Sequence, residues 1–155
     1  MVSGMLLSCK ASTSAVHVEP GTFSALMDLY ERNYIQVRRL VPWLPSPGEA
    51  RVSRVEEGLD LHLKVVERHR YTTDVALTYY FRREQGPLLE PDLHVRIYHD
   101  ARVAEVLTAQ LRHWPQFNML HWDVDRDSQL YARWRVNRFL YKWLHYCLYQ
   151  GHRFS

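Results

Sequence analysis

Leu93-His94-Val95-Arg96-Ile97-Tyr98-His99-Asp100-Ala101-Arg102-Val103-Ala104-Glu105-Val106 is the stretch on which the fold turns. Leu93, Val95 and Ile97 alternate with polar residues, the period of a half-buried strand. His99-Asp100-Ala101 then offers turn residues, and the segment beyond them is either a returning strand or a helix. Good helix formers from Ala101 to Arg112, with Asp100 placed to cap them, permit the helix. A tight turn and an antiparallel return keep the sheet continuous, so the expectation for 101–112 is a strand. The stretch also crowds Arg96, Tyr98, His99, Asp100, Arg102 and Glu105 between apolar neighbours. A plain core strand does not need so many hydrogen-bonding types on its second face, which points to a buried polar network or a site.

Upstream, Leu59, Leu61, Leu63 and Val65 alternate with Asp60, His62 and Lys64, and Tyr71 to Arg82 sets Thr73, Val75, Leu77, Tyr79 and Phe81 on one face. Arg51 to Glu56 alternates more weakly and leads through Glu57-Gly58 into a hairpin. Gln85-Gly86-Pro87 opens a loop expected to close at Pro91. Before these strands, Phe23, Leu26, Met27, Tyr30, Tyr34, Val37, Leu40 and Val41 recur at helical spacing behind Thr22, a good N-cap, and Pro42 stops the helix. Downstream, Trp114 to Asp125 looks like a loop carrying Trp114 and Trp122. Asp127 or Ser128 then caps a long helix through Tyr149, with Gly151 as its stop. The expected architecture is α+β: an antiparallel sheet of four to five strands with the N- and C-terminal helices packed on one face. Small polar residues from Met1 to Gly21 read as a flexible N-terminal extension, leaving 22–155 as a single α+β domain.

A length of 155 residues favours one core. Five Trp and ten Tyr make the chain rich in rings, which serve either a bulky core or a stacking surface. The formal charge of +3 is mild, but Arg126 to Ser155 holds six cations against Asp127 alone. Cys9 and Cys147 form no CxxC pair and no disulfide framework, which fits a reducing cytoplasm. The first residues lack a basic n-region and an apolar h-region, and no segment approaches the roughly twenty apolar residues that span a bilayer.

Two constellations could carry chemistry. The first joins Glu67, Arg70, Tyr71, Thr72 and Thr73 to Arg96, Tyr98, His99, Asp100, Arg102 and Glu105 if the two hairpin tips lie side by side. Carboxylates, an imidazole and guanidiniums would then converge, the makings of anion binding or acid–base chemistry. The plainer account is an ion-pair and capping network that fixes the turns. The second is a basic rail along the last helix, Arg135, Arg138, Lys142 and His145, with Tyr141, Tyr149 and the Trp loop available for stacking on nucleic acid. Its plainer account is a solvated face whose cations favour the helix C-terminus. Asn137, at the edge of the apolar stripe, is expected to bond the backbone of a neighbouring loop. The nine His show no HxH or HExxH spacing, so no metal and no cofactor are expected, and the six Gly form no phosphate loop. Cys147 lies on the apolar stripe, where thiols are inert.

Four separated blocks resemble one family. They are Arg38-Arg39-Leu40 with Pro42 and Pro47-Gly48-Glu49; Val66-Glu67 with Arg70-Tyr71-Thr72-Thr73; Val95 to Ala101 with Val103 to Val106; and Asn137-x-Phe139-Leu140-x-x-Trp143-Leu144-x-Tyr146-Cys147-Leu148-x-x-Gly151. In this order, over about residues 22 to 151, they resemble the YqiB-like family, a bacterial cytoplasmic domain of unknown function (DUF1249). The resemblance implies no reaction and no catalytic residue. One departure is Asp125-Arg126-Asp127-Ser128, where the family tends to have Asp-Glu-Lys. The resulting functional expectation is a non-catalytic binding or adaptor protein, using Arg70, Arg96, His99, Asp100 and Arg102 to hold an anionic small molecule or a protein partner. Two alternatives stand beside it: a nucleotide-acting hydrolase or transferase built on Glu67, His99, Asp100 and Glu105, and RNA binding through Arg135, Arg138 and Lys142.

Overall fold

A computed structural model describes residues 19–111 and 126–155, with side chains in the second segment from 129 onward. The expected extension over Met1 to Gly21 lies outside these residues except for its last three, and the Trp114 to Asp125 loop lies outside them entirely. Helix α1 (Phe23–Leu40) starts as anticipated: the Thr22 side chain accepts a hydrogen bond from the Ala25 amide at 3.2 Å. Its end is closed by the Val41 amide, which donates to the Val37 carbonyl ahead of Pro42.

Five strands come next, β1 (Ala50–Ser53), β2 (Asp60–Arg68), β3 (Thr72–Phe81), β4 (Leu88–Tyr98) and β5 (Val103–Gln110). They form an antiparallel meander in chain order, β1-β2-β3-β4-β5. The segment with two possible readings is therefore a strand. Short turns make that outcome favourable, because each strand pairs with its sequence neighbour and the entropy of closing a long loop is avoided. One boundary differs from expectation. Pro91 does not close a loop but lies inside β4, beside the point where the β3–β4 register shifts between Thr78 and Tyr80. A break in the ladder is where a residue without an amide hydrogen is tolerated.

Helix α2 (Arg126–Tyr149) ends as the Gly stop requires. Gly151 adopts φ +96°, its amide donates to the Leu148 carbonyl, and the His152 amide donates to the Cys147 carbonyl. Those paired bonds are the Schellman arrangement. It turns the chain back onto the sheet, where His152 Nδ1 meets Ser53 Oγ at 2.9 Å and the Phe154 amide reaches the Leu40 carbonyl.

Both helices cover one face of the sheet. Val37 and Leu40 from α1, and Val136, Leu140, Leu144 and Cys147 from α2, pack on Leu61, Leu63, Val65, Val75, Leu77, Leu93, Val95, Ile97 and Ala104. Strand alternation leaves His62, Lys64, Asp74, Thr78, Tyr80, Asp92, His94 and Arg96 on the opposite face. Asn137 serves the edge strand β5 rather than a loop. Its Oδ1 accepts the Val106 amide at 3.0 Å, while its Nδ2 donates to the Arg133 carbonyl. The amide sits beside the β-bulge between His94 and Val95, so a side chain takes over a bond that the ladder cannot make. No described helix is long and apolar enough to cross a membrane.

Candidate functional site: the hairpin-tip corner

The tips of the β2–β3 and β4–β5 hairpins stand side by side. The His69 amide closes the first tip on the Thr72 carbonyl, and the His99 amide of the second donates to the Tyr71 carbonyl, each at 2.8 Å. Arg102, at φ +55°, completes the second turn. The residues singled out in the sequence therefore share one end of the sheet, but they divide between its two faces.

The division arises because Thr73 and Asp74 are consecutive in β3. Asp74 faces away from the helices and pairs across the ladder with Arg96, whose Nε and Nη2 donate to the two carboxylate oxygens at 2.8 and 2.9 Å. This bidentate pair raises the Arg96 pKa further and neutralises its charge. Next to it, the Tyr98 hydroxyl donates to Glu105 at 2.6 Å, and Glu105 also meets Tyr30 from α1 and, at 3.8 Å, Arg133 from α2. Burial first, and then the Glu105 carboxylate, push the Tyr30 phenol up to about 12. Arg96, Tyr98 and Glu105 thus belong to a chain of polar contacts that runs from the sheet to both helices.

On the helix side, Thr73 is fully buried and its Oγ1 lies 2.7 Å from His99 Nε2. Burial, then the charges of Arg38 from α1 and Arg68 from the end of β2, hold the imidazole below its ordinary value, opposed by Asp100. Arg38 is itself anchored, donating through Nη2 to the Pro42 carbonyl at 3.0 Å. An imidazole and a hydroxyl therefore meet at one corner, within the electrostatic reach of two guanidiniums and of the Asp100 carboxylate. Such a set has donors for an anion, and the imidazole can take a proton once negative charge arrives.

The remaining candidates lie outside this corner. Glu67 pairs with His69 at 3.0 Å in solvent, and Arg70 stacks over the exposed Tyr71 ring at 5.1 Å. Thr72 is half-buried and Asp100 is exposed on the turn. Glu105 is engaged with Tyr98 and Glu67 with His69, and among the carboxylates considered for acid–base work it is Asp100 whose charge acts on the imidazole. Asp74, Arg38 and Arg68 were missed in the sequence; Asp74 becomes visible once the β3–β4 register sets it opposite Arg96. Arg38 carried only a family-motif signal, because helix and sheet meet there through tertiary packing.

Along α2, Tyr131 stacks on Trp134 at 5.8 Å and Arg138 sits over the same ring at 5.3 Å. Lys142 and His145 continue that exposed side. Cys147 is buried and donates its thiol hydrogen to the Tyr79 hydroxyl at 3.2 Å. Burial pushes its pKa up to about 12. Among the described residues no group of three His, Cys, Asp or Glu could hold a metal ion.

Fold and corner together define a small α+β protein: a five-stranded antiparallel meander with two helices on one face and a polar corner at its hairpin tips. The sequence pattern of the family described as "Protein of unknown function (DUF1249)" matches residues 36–153, and the chain belongs to that family. It is 34% identical over 135 residues to "Uncharacterized protein YqiB" of Escherichia coli strain K12, covering 83% of this chain and 90% of the relative. The proteins of the same name from Escherichia coli O6:H1 and O157:H7 match to the same extent. No solved structure matches the chain.

Proposed function

We propose that the protein is a non-catalytic binding protein that holds an anionic small molecule, or an acidic side chain of a partner, at the corner formed by Arg38, Arg68, Thr73 and His99. The observation that carries this reading is the 2.7 Å contact of His99 Nε2 with buried Thr73 Oγ1, at a position where the charges of Arg38 and Arg68 act on the imidazole. Asp74 neutralises Arg96 through two direct bonds, whereas at this corner the charges of Arg38 and Arg68 outweigh that of Asp100 and disfavour charging the imidazole. An arriving anion relieves that repulsion and is met by donors already in position. Asp100 and Arg102 lie on the neighbouring turn and form its rim. A reducing cytoplasm is the proposed location, supported by Cys147 being a free, buried thiol.

Calorimetric titration of the intact chain with inorganic phosphate and pyrophosphate tests the reading. Saturable binding is expected, weakened in Arg68→Ala and His99→Ala and retained in Arg70→Ala. Equal affinity in all variants, or no binding at all, counts against the site.

A further inference from the structure

A second site lies at the sheet's first edge. A cleft of about 330 Å³ opens between the segment after α1, strand β1 and the chain beyond α2, lined by Trp43, Leu44, Pro45, Arg51, Val52 and Arg153. Trp43 is 79% exposed, an unfavourable placement for the largest side chain unless something covers it. Its backbone is restrained. Pro42 and Pro45 stiffen its segment, Arg38 bonds the Pro42 carbonyl, and the Phe154 amide bonds the Leu40 carbonyl. A ring carried on a restrained backbone loses less freedom when a flat ligand settles on it than one on a mobile loop.

Two guanidiniums flank the cleft. Arg51 pairs with the exposed Glu49 at 2.9 Å, a contact that solvent screens. Arg153 is exposed, and its backbone is fixed by the bond from its amide to Ser53 Oγ at 3.2 Å. Half-exposed Val52 adds an apolar wall. Size narrows the ligand class, because about 330 Å³ sits at the lower end of small-molecule pockets, typically ~300–1,000 Å³. An extended peptide would need a longer edge than the four residues of β1.

We propose that this cleft binds a planar aromatic anion of the size of a nucleoside monophosphate, its ring stacked on Trp43 and its phosphate held by Arg51 and Arg153. Ring and charge are read by separate groups, so neither half of the ligand alone should bind well.

The test is calorimetric titration of the intact chain with the four common nucleoside monophosphates, alongside adenosine and inorganic phosphate. Saturable binding of at least one nucleotide is expected, about tenfold or more tighter than either fragment. Trp43→Ala and Arg153→Ala should each weaken it by about tenfold, and Trp43→Phe should restore most of the loss. Both positions are on the surface, and unchanged thermal unfolding verifies that the variants are folded. No saturable binding of any nucleotide at millimolar concentration overturns the proposal, as does affinity unchanged by Trp43→Ala. Nucleotide binding lost in Arg68→Ala but kept in Trp43→Ala assigns the ligand to the His99 corner and also overturns it.

Discussion

Thr73 and Asp74 are neighbours in β3, yet Thr73 bonds His99 under the helices while Asp74 bonds Arg96 on the opposite face. This one-residue alternation separates a neutralised ion pair from the His99 corner, and it divides the polar cluster into a structural, ion-paired half and the half proposed above to hold an anion.

Removing Arg96 tests the structural half. Asp74 is largely buried, so Arg96→Ala leaves a carboxylate without the two bonds it accepted. A loss of about 2 kcal/mol is expected in urea unfolding. Because the penalty comes from the stranded charge, the double variant Arg96→Ala/Asp74→Ala should recover part of it. A double variant less stable by the full sum of the two single losses would contradict the pairing.

Asn137 joins α2 to the edge of the sheet through the Val106 amide. Asn137→Ala strands that buried amide and should cost about 2–3 kcal/mol. Hydrogen exchange should show amides of β5 losing protection before those of β3. Uniform loss across the sheet would mean that Asn137 does not guard the edge.

Much of this architecture was legible in the sequence, for physical reasons. Leu61, Leu63 and Val65 all face the core, as their alternation required, and Thr22 and Gly151 bound their helices because capping is local chemistry. The site was less legible. Arg96, Tyr98, His99 and Glu105 were found as a cluster, but their division between faces depends on register, which no single strand carries. Arg38 and Trp43 come into play through tertiary contact, and Pro91 sits inside a strand only because the register shifts beside it.

His152 supplies a pH dependence. Burial, opposed by contacts with the Leu59 backbone, Asp60 and Ser53, holds its imidazole below the ordinary value of 6.5. The unfolded chain therefore binds the proton first. Stability should be complete above the unfolded value and fall as pH drops through it. His99, also lowered, acts in the same direction. Urea unfolding at about pH 7.5 and about pH 5.5 should show a smaller difference in His152→Asn than in the native chain. An identical difference in both would contradict this role for His152.

The anion corner is tested most directly by following the His99 ring by NMR through a pH titration, with and without inorganic phosphate. An anion bound beside the imidazole favours its charged form, so phosphate should move the His99 midpoint upward. In Arg68→Ala the midpoint should start higher, because a repelling charge is gone, and should respond less to phosphate. Superimposable curves with and without phosphate in the native chain would contradict the claim that this corner holds anions.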